Sequence, residues 1–521
     1  MKSNTLWITN GRSRPRRAKA ARLGVTATGV GFALLVLLSS CGDPAGFAAE
    51  IDTVRRLNAA GGSFVRLLGT SGDESLYDAT IVGTRIISVG SIATGDGEDG
   101  LLAAIDIDGE SPGLRGKFRV EGDASDPVDE VFQAADYIPI VNDSEGVVVG
   151  GKRGDPSNAI ASVLQLNGLG LDLAWEFGGS LSNEEITGIW GDANPDVDGG
   201  VFVGTSDAYH ADGTAFYGLA NLSLGLADDG YDHPTFLVTD HESSASAVVR
   251  TDHQGYVGVG AVNNGSDRDG LLFLADRFDR SFDGAYSIAT EEGDEEFFDV
   301  SFVEGADPIV LVGSTTAYFS GQKAWLVVIL DDTDLSVIAG YAIQFRSGLE
   351  SAARAVYALP NDEGNPNYWD EDGLFAIAGD GFTAMVMDAD GNYKWASAAP
   401  ENSDYLAGAT HSIVPNDNAL EGLVLVGSTD PPAHEDLGNE GVMLWASPSE
   451  GTSYPGTTTA GSVDVRNITD DLIGPQSINV TTRSGQDDLT NHSIYAGNTW
   501  ELDSTSTFAD KSTLDVVVTS P

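Results

Sequence analysis

The feature that most restricts this chain is a short apolar run that ends in glycine and returns seven times. It reads Ile86-Ile-Ser-Val-Gly90, Val147-Val-Val-Gly150, Val201-Phe-Val-Gly204, Tyr256-Val-Gly-Val-Gly260, Ile309-Val-Leu-Val-Gly313, Phe375-Ala-Ile-Ala-Gly379 and Leu423-Val-Leu-Val-Gly427. The glycines lie 48 to 66 residues apart. A unit of that length has room for four short strands, and seven copies predict a closed, radially repeated all-β architecture, a seven-bladed β-propeller. The third unit shows the layout. Glu185–Trp190 is an inner strand, Asp198-Gly199-Gly200 turns into Val201–Gly204, and Ala215–Ala220 and Thr235–Val238 follow as third and outermost strands. The glycine that ends the second strand permits a bulge or a close backbone approach, where a side chain would not fit.

The two ends of the array complement each other. The seventh unit lacks an outermost strand after Gly441–Ala446, and Ser63–Gly69 has that strand's character ahead of the first unit. Residues 63–69 are therefore expected to complete the seventh blade, which removes the open edges that invite aggregation. The Pro/Gly/Thr-rich stretch 448–460 reads as a linker. Beyond it, residues 461–521 alternate as half-buried strands, among them Ser477–Thr481, Asn498–Leu502 and Leu514–Val518. They are expected to form a small C-terminal β-sandwich domain.

Seven of the 27 basic residues, and none of the 79 acidic ones, fall within residues 1–40. The apolar run Val30–Leu38 follows, then Ser39-Ser40-Cys41, the only cysteine of the chain. A basic start, a short apolar stretch and small residues before a cut make an export signal over 1–40. The apolar run is short of the ~20 residues that a spanning helix needs. Leu38-Ser39-Ser40-Cys41 resembles the bacterial lipobox. That resemblance implies lipid on Cys41, a tether over 41–60, and a place in the cell envelope, with Gly42 matching lipoproteins sent to the outer membrane. Lipidation anchors a protein to a membrane without a spanning segment.

The chain carries a formal net charge of −52, and its acids are dispersed. Such a field repels phosphate backbones, which excludes nucleic acid as a partner of the body, and it favours divalent cations or basic partners. A saline habitat accounts for the acidity equally well. Carboxylates recur near the start of each expected inner strand, at Glu74, Glu130, Glu185, Glu242, Glu295, Glu350 and Asp404, beside further acids at Asp73, Asp129, Glu184 and Glu296. Seven equivalent loops would set these around one mouth of the propeller channel, where a bound cation or a basic partner would relieve their repulsion. Asn194, Asp196 and Asp198 begin like a calcium loop, although Phe202 and Thr205 stand where later oxygen ligands are needed, and an Asp/Gly-rich turn explains them as well. Three Asp-His pairs, Asp232-His233, Asp240-His241 and Asp252-His253, use the vocabulary of zinc and general-base sites without a spacing that joins them. No nucleophile elbow, P-loop or dinucleotide fingerprint is present.

Runs such as Phe177-Gly-Gly-Ser-Leu-Ser-Asn-Glu-Glu-Ile-Thr-Gly-Ile189 and Gly422-Leu-Val-Leu-Val-Gly-Ser428 resemble the SBBP-type and PQQ-like propeller repeats of bacterial envelope proteins over residues 61–447. The resemblance implies the propeller fold and leaves activity open. The function expected is that of a non-enzymatic binding or scaffold lipoprotein, recognising an envelope protein, a glycan or a divalent cation such as calcium through propeller loops. The alternatives are an outer-membrane assembly propeller lipoprotein, whose repeats more regularly carry an Asp-x-x-x-Gly-x-x-x-Trp pattern that only Asp388–Trp395 approximates, and a propeller enzyme of the quinoprotein or hydrolase kind.

Overall fold

A computed structural model describes residues between 64 and 502, apart from connecting loops, and leaves residues 1–63 and 503–521 undescribed. The described residues form seven antiparallel sheets, six of five strands and one of four. Each sheet is a meander. The first runs Glu74–Val82, Arg85–Thr94, Gly97–Asp106, Gly113–Glu121, and the second Glu130–Ile140, Ser144–Arg153, Asn158–Gln165, Gly170–Gly178. The third is Glu184–Gly191, Gly199–Ser206, Thr214–Asn221, Thr235–Val238, close to the strands expected from sequence. The fourth is Ser243–Arg250, Tyr256–Asn263, Arg268–Ala275, Phe282–Ala289. The fifth is Glu295–Phe302, Pro308–Thr315, Ala324–Asp331, Val337–Gln344, and the sixth Ala353–Ala358, Leu374–Gly379, Thr383–Asp388, Tyr393–Ala398. The last has Ala409–Pro415, Leu423–Thr429 and Glu440–Ala446 from one end of the array, and Phe64–Leu68 from the other. Phe64 lies opposite Trp445 and Leu68 opposite Gly441, so the expected closure by the N-terminal strand is present.

Consecutive sheets meet through their first strands, and the first sheet meets the last, so the array is a propeller ring. Seven apolar clusters fill the junctions. One joins Val89 and Leu102 of the first sheet to Phe132 and Val149 of the second. Another joins Val424 and Val426 of the last sheet to Leu76 and Ile86 of the first. Because a blade packs on both faces, its middle strands are buried along most of their length: Pro308–Thr315 is buried at every position, and Ala324–Asp331 at all but its last residue. The first strands instead alternate buried and half-buried residues, since one side faces the channel.

The recurring glycine has a specific cause. Each first strand bulges once against its second strand, at Tyr77, Gln133, Thr187, Ser246, Phe298, Arg354 and His411. Opposite the residue before each bulge stand Gly90, Gly151, Gly204, Gly260, Gly313, Gly379 and Gly427. A Cβ on any of them would overlap the carbonyl oxygen of the residue two before the bulge, for example Glu296 at Gly313. In the second sheet that role belongs to Gly151, one residue past the glycine picked out by sequence.

The expected C-terminal sandwich is corrected by the structure, as are its linker boundary and the expectation that each blade has four strands. Thr458–Thr459, Asp464–Asn467, Ile473–Ser477, Thr481–Ser484, Asn491–Ala496 and Glu501–Leu502 add, one by one, as antiparallel fifth strands to the sixth, fifth, fourth, third, second and first sheets. The segment runs backwards round the rim as a belt. Alternation in these strands reflects packing on the propeller, with Ile468 buried against the fourth and fifth sheets and Ile478 and Val480 packed on the junction of the third and fourth. Two arginines fasten the belt: Arg466 sits 4.7 Å from the Tyr318 ring centre and Arg483 5.2 Å from that of Tyr209.

Candidate functional site: the inner rim and channel

A bulge turns its extra side chain away from the regular ladder and toward whatever lies beside the strand. Here the seven bulges deliver one half-buried side chain from each sheet to the inner rim: Tyr77, Gln133, Thr187, Ser246, Phe298, Arg354 and His411. Neighbours round the ring touch. The rings of Tyr77 and His411 lie 5.5 Å apart, the Arg354 guanidinium stands 4.4 Å from the Phe298 ring centre, and Thr187 Oγ1 donates to the carbonyl of Ala245 at 2.7 Å. Arg354 also pairs with Asp380 at 3.0 Å. Burial pushes the His411 imidazole down to about 4, helped by the Arg354 charge and opposed by that of Asp380, so this histidine is neutral at physiological pH.

Below the rim lie three carboxyl groups. Asp78 accepts the amide of Ala79 at 2.7 Å on one oxygen and that of Ala135, in the next sheet, at 2.8 Å on the other. Asp136 bonds Tyr137 and, across the junction, Gly191. Asp299 bonds Val300 and, across the junction, Val356. Serine does the same work elsewhere, Ser301 accepting from Ala358 and Ser412 from Ala79. The physical reason is the edge each first strand presents to the channel, whose N–H groups have no ladder partner and need an acceptor. Each carboxyl is enclosed by protein yet keeps a partial opening onto the channel. Burial raises Asp78 to about 6 and Asp136 and Asp299 to about 7, the bonded amides limiting the rise and the charge of Asp78 adding to the other two. Sequence reasoning missed all three; the signal it could have used is their place in three first strands, one residue past the bulge at Asp78 and Asp299 and three past it at Asp136.

The expected ring of seven mouth carboxylates is not assembled as such. Glu74, Glu130, Glu184 and Glu295 are equivalent to one another and fully buried. Glu130 pairs with Arg153 at 3.1 Å, Glu184 accepts from Ser206 at 3.0 Å, and Glu295 accepts from Thr290 and Thr315. Burial raises the Glu295 carboxyl, while those two hydroxyls oppose the rise. Glu185 and Glu296, one position further on, point the other way and meet cations of the preceding sheet, Lys152 at 3.4 Å and Arg268 at 3.0 Å. Glu242 is half-buried, Glu350 is exposed, and Asp404 lies outside the described residues. A one-residue difference thus divides the set between a fully buried row and a half-buried row paired with cations.

Asn194, Asp196 and Asp198 lie outside the described residues, as do Asp232 and His233. His253 pairs with Asp332 of the next sheet, its amide at 2.9 Å and Nδ1 at 3.1 Å, rather than with Asp252. Among the described residues no three His, Cys, Asp or Glu side chains converge as a metal site. On the face where the first strands begin, which we term the upper face, a pocket of about 390 Å³ opens between the fourth and fifth sheets. Asp267, Asp294 and Glu296 line it together with Arg268 and Lys323.

No protein-family model and no curated protein matches the chain. Solved structures do. Sqt1 from Chaetomium thermophilum is similar at 13% identity, over 72% of this chain and 97% of that one, with a TM-score of 0.41. The C-terminal WD40 domain of Sif2 is similar at 11% identity, over 73% and 98%, with a TM-score of 0.39. Puromycin hydrolase is similar at 11% identity, over 74% and 53%, with a TM-score of 0.40.

Proposed function

We propose that the chain is a non-enzymatic binding or scaffold protein of the cell envelope, anchored through lipid on Cys41, that holds a protein partner against the inner rim of its upper face. The observation that carries this reading is the make-up of the rim. In a chain with 79 acids, the seven bulge positions hold Tyr77, Phe298, Arg354, His411 and three neutral polar residues, and no carboxylate. Charged pairs, Lys152 with Glu185 and Arg268 with Glu296, border the rim, and Gln133 of the rim donates to Glu185 at 3.3 Å. A centre of aromatic rings with one arginine, set inside a charged surround, matches the usual anatomy of a protein-binding patch. The surrounding acidity would speed the approach of a basic partner. Asp78, Asp136 and Asp299 are each engaged with backbone amides of two sheets, which gives them a part in holding the ring that presents the rim.

A photo-reactive benzoylphenylalanine placed at Tyr77 or Phe298 in the full chain tests this in intact envelopes. The control position is Asp334, an exposed residue in a third-to-fourth-strand turn on the opposite face. Discrete protein adducts from positions 77 and 298, with none from 334, are expected. No adducts at the rim positions, or equal labelling from 334, would overturn the reading.

A further inference from the structure

Among the described residues the belt leaves one place unfilled. It meets the sixth sheet first and then passes to the fifth, fourth, third, second and first, beginning a strand at residues 458, 464, 473, 481, 491 and 501. The next sheet round the ring is the seventh, the one with four strands. Its outermost strand, Phe64–Leu68, pairs on one side with Glu440–Ala446, and no described strand lies along its other edge. Phe64–Leu68 is antiparallel to the third strand of its sheet, so it runs in the same sense as the fourth strands on which the belt docks elsewhere.

We infer that this edge is the docking site of residues Leu514–Val518 of the same chain, which add antiparallel to Phe64–Leu68 as the fifth strand of the seventh sheet. Three observations converge on that occupant. Position comes first: the sequence after Glu501–Leu502 is the part of the belt that would next reach the seventh sheet. Reach is the second. Earlier steps between sheets are bridged by segments such as 468–472 and 478–480, and 503–513 is longer than either. Extended at about 3.3 Å per residue it spans roughly 36 Å. Pairing is the third. Leu514-Asp-Val-Val-Val518 is five residues long, as is the edge it would cover, and it is rich in the β-branched residue that suits a strand. An uncovered strand edge is an aggregation hazard, which the belt removes from the other six sheets. The ring would then be fastened twice at one blade, by the strand that opens the described chain and by the belt that ends it.

Site-resolved amide exchange over Phe64–Leu68 tests the inference, comparing the full chain with a chain terminated after Leu502 and with the full-length Val516→Pro. Only alternate amides of Phe64–Leu68 face the outer edge. Those are expected to exchange about tenfold faster in both variants. The amides directed at Glu440–Ala446, and those of Pro308–Thr315, should be unchanged. Equal exchange in all three proteins would overturn the inference. So would protection that grows with protein concentration, which would assign the edge to a second copy of the chain. A second measurement does not depend on how the variants fold. In the full chain carrying Cys41→Ser and Arg66→Cys, a second cysteine is placed in turn at positions 515 to 518. An intrachain disulfide at one or two of these positions under mild oxidation supports the docking, and none at any of them contradicts it.

Discussion

Asp299 offers the sharpest test of how the ring is held together. Its carboxyl reaches from the fifth sheet to the Val356 amide of the sixth, and burial lifts it from 3.8 to about 7. A carboxyl raised in the native state binds its proton more firmly there than in the unfolded chain. The stability it contributes is therefore complete below about pH 4 and is lost as pH rises through about 7. At 1.36 kcal/mol per pH unit, the whole effect is about 4 kcal/mol, of which about 3 falls between pH 4.5 and pH 8. The partial opening of the side chain onto the channel makes these figures ceilings. Asp299→Asn keeps the shape but removes the titration. It also leaves one of the two amides facing a donor, a cost of about 1–3 kcal/mol at every pH. Urea denaturation of the full chain and the variant at pH 4.5, 6 and 8 isolates the effect, because the general acidity of the protein is common to both and cancels. The stability gap should widen by up to about 3 kcal/mol toward pH 4.5. A gap that stays constant, or that widens toward pH 8, would refute the linkage.

Other expectations follow from single contacts. Gly313→Ala drives a Cβ into the Glu296 carbonyl and should cost about 2–4 kcal/mol in thermal or urea melts. Gly321→Ala, which has open space around it and only a left-handed φ of 79° to overcome, should cost about 1–2 kcal/mol. Arg153→Met removes the counter-charge of buried Glu130 and should cost about 3–5 kcal/mol, whereas Lys152→Met, whose pair with Glu185 is open to solvent, should cost under about 1 kcal/mol. Arg466→Ala removes the stack on Tyr318 and should speed amide exchange across Asp464–Asn467, with little change in the first strands.

The repeat was legible because its glycine answers to a backbone clash, a constraint that acts at a fixed place in every unit. It slipped by one residue only at Gly150-Gly151, where two glycines adjoin and only the pairing shows that Gly151 faces the bulge. The closing strand at Phe64–Leu68 was legible for the complementary reason that the last unit visibly lacked one. The belt was not. Its strands could be read, but a fifth strand is held by backbone bonds to another strand's edge, and such bonds leave no mark on the side chains that would name the partner. The rim was hidden for a related reason. Whether Glu184 or Glu185 is buried depends on a one-residue register, and sequence grouped the two together. Asp78, Asp136 and Asp299 look like solvated acids until the next sheet supplies the amides they bind.

The described residues make a single ring girdled by its own tail. Amide exchange followed through a urea series tests that most directly, comparing Asp464–Asn467 and Ile473–Ser477 with the fourth strands beneath them, Val337–Gln344 and Phe282–Ala289. The tail amides paired to those strands should lose protection no later than the strands, with no protection surviving once the ring has opened. Tail residues that keep their protection after the ring unfolds, as an independent domain would, contradict it.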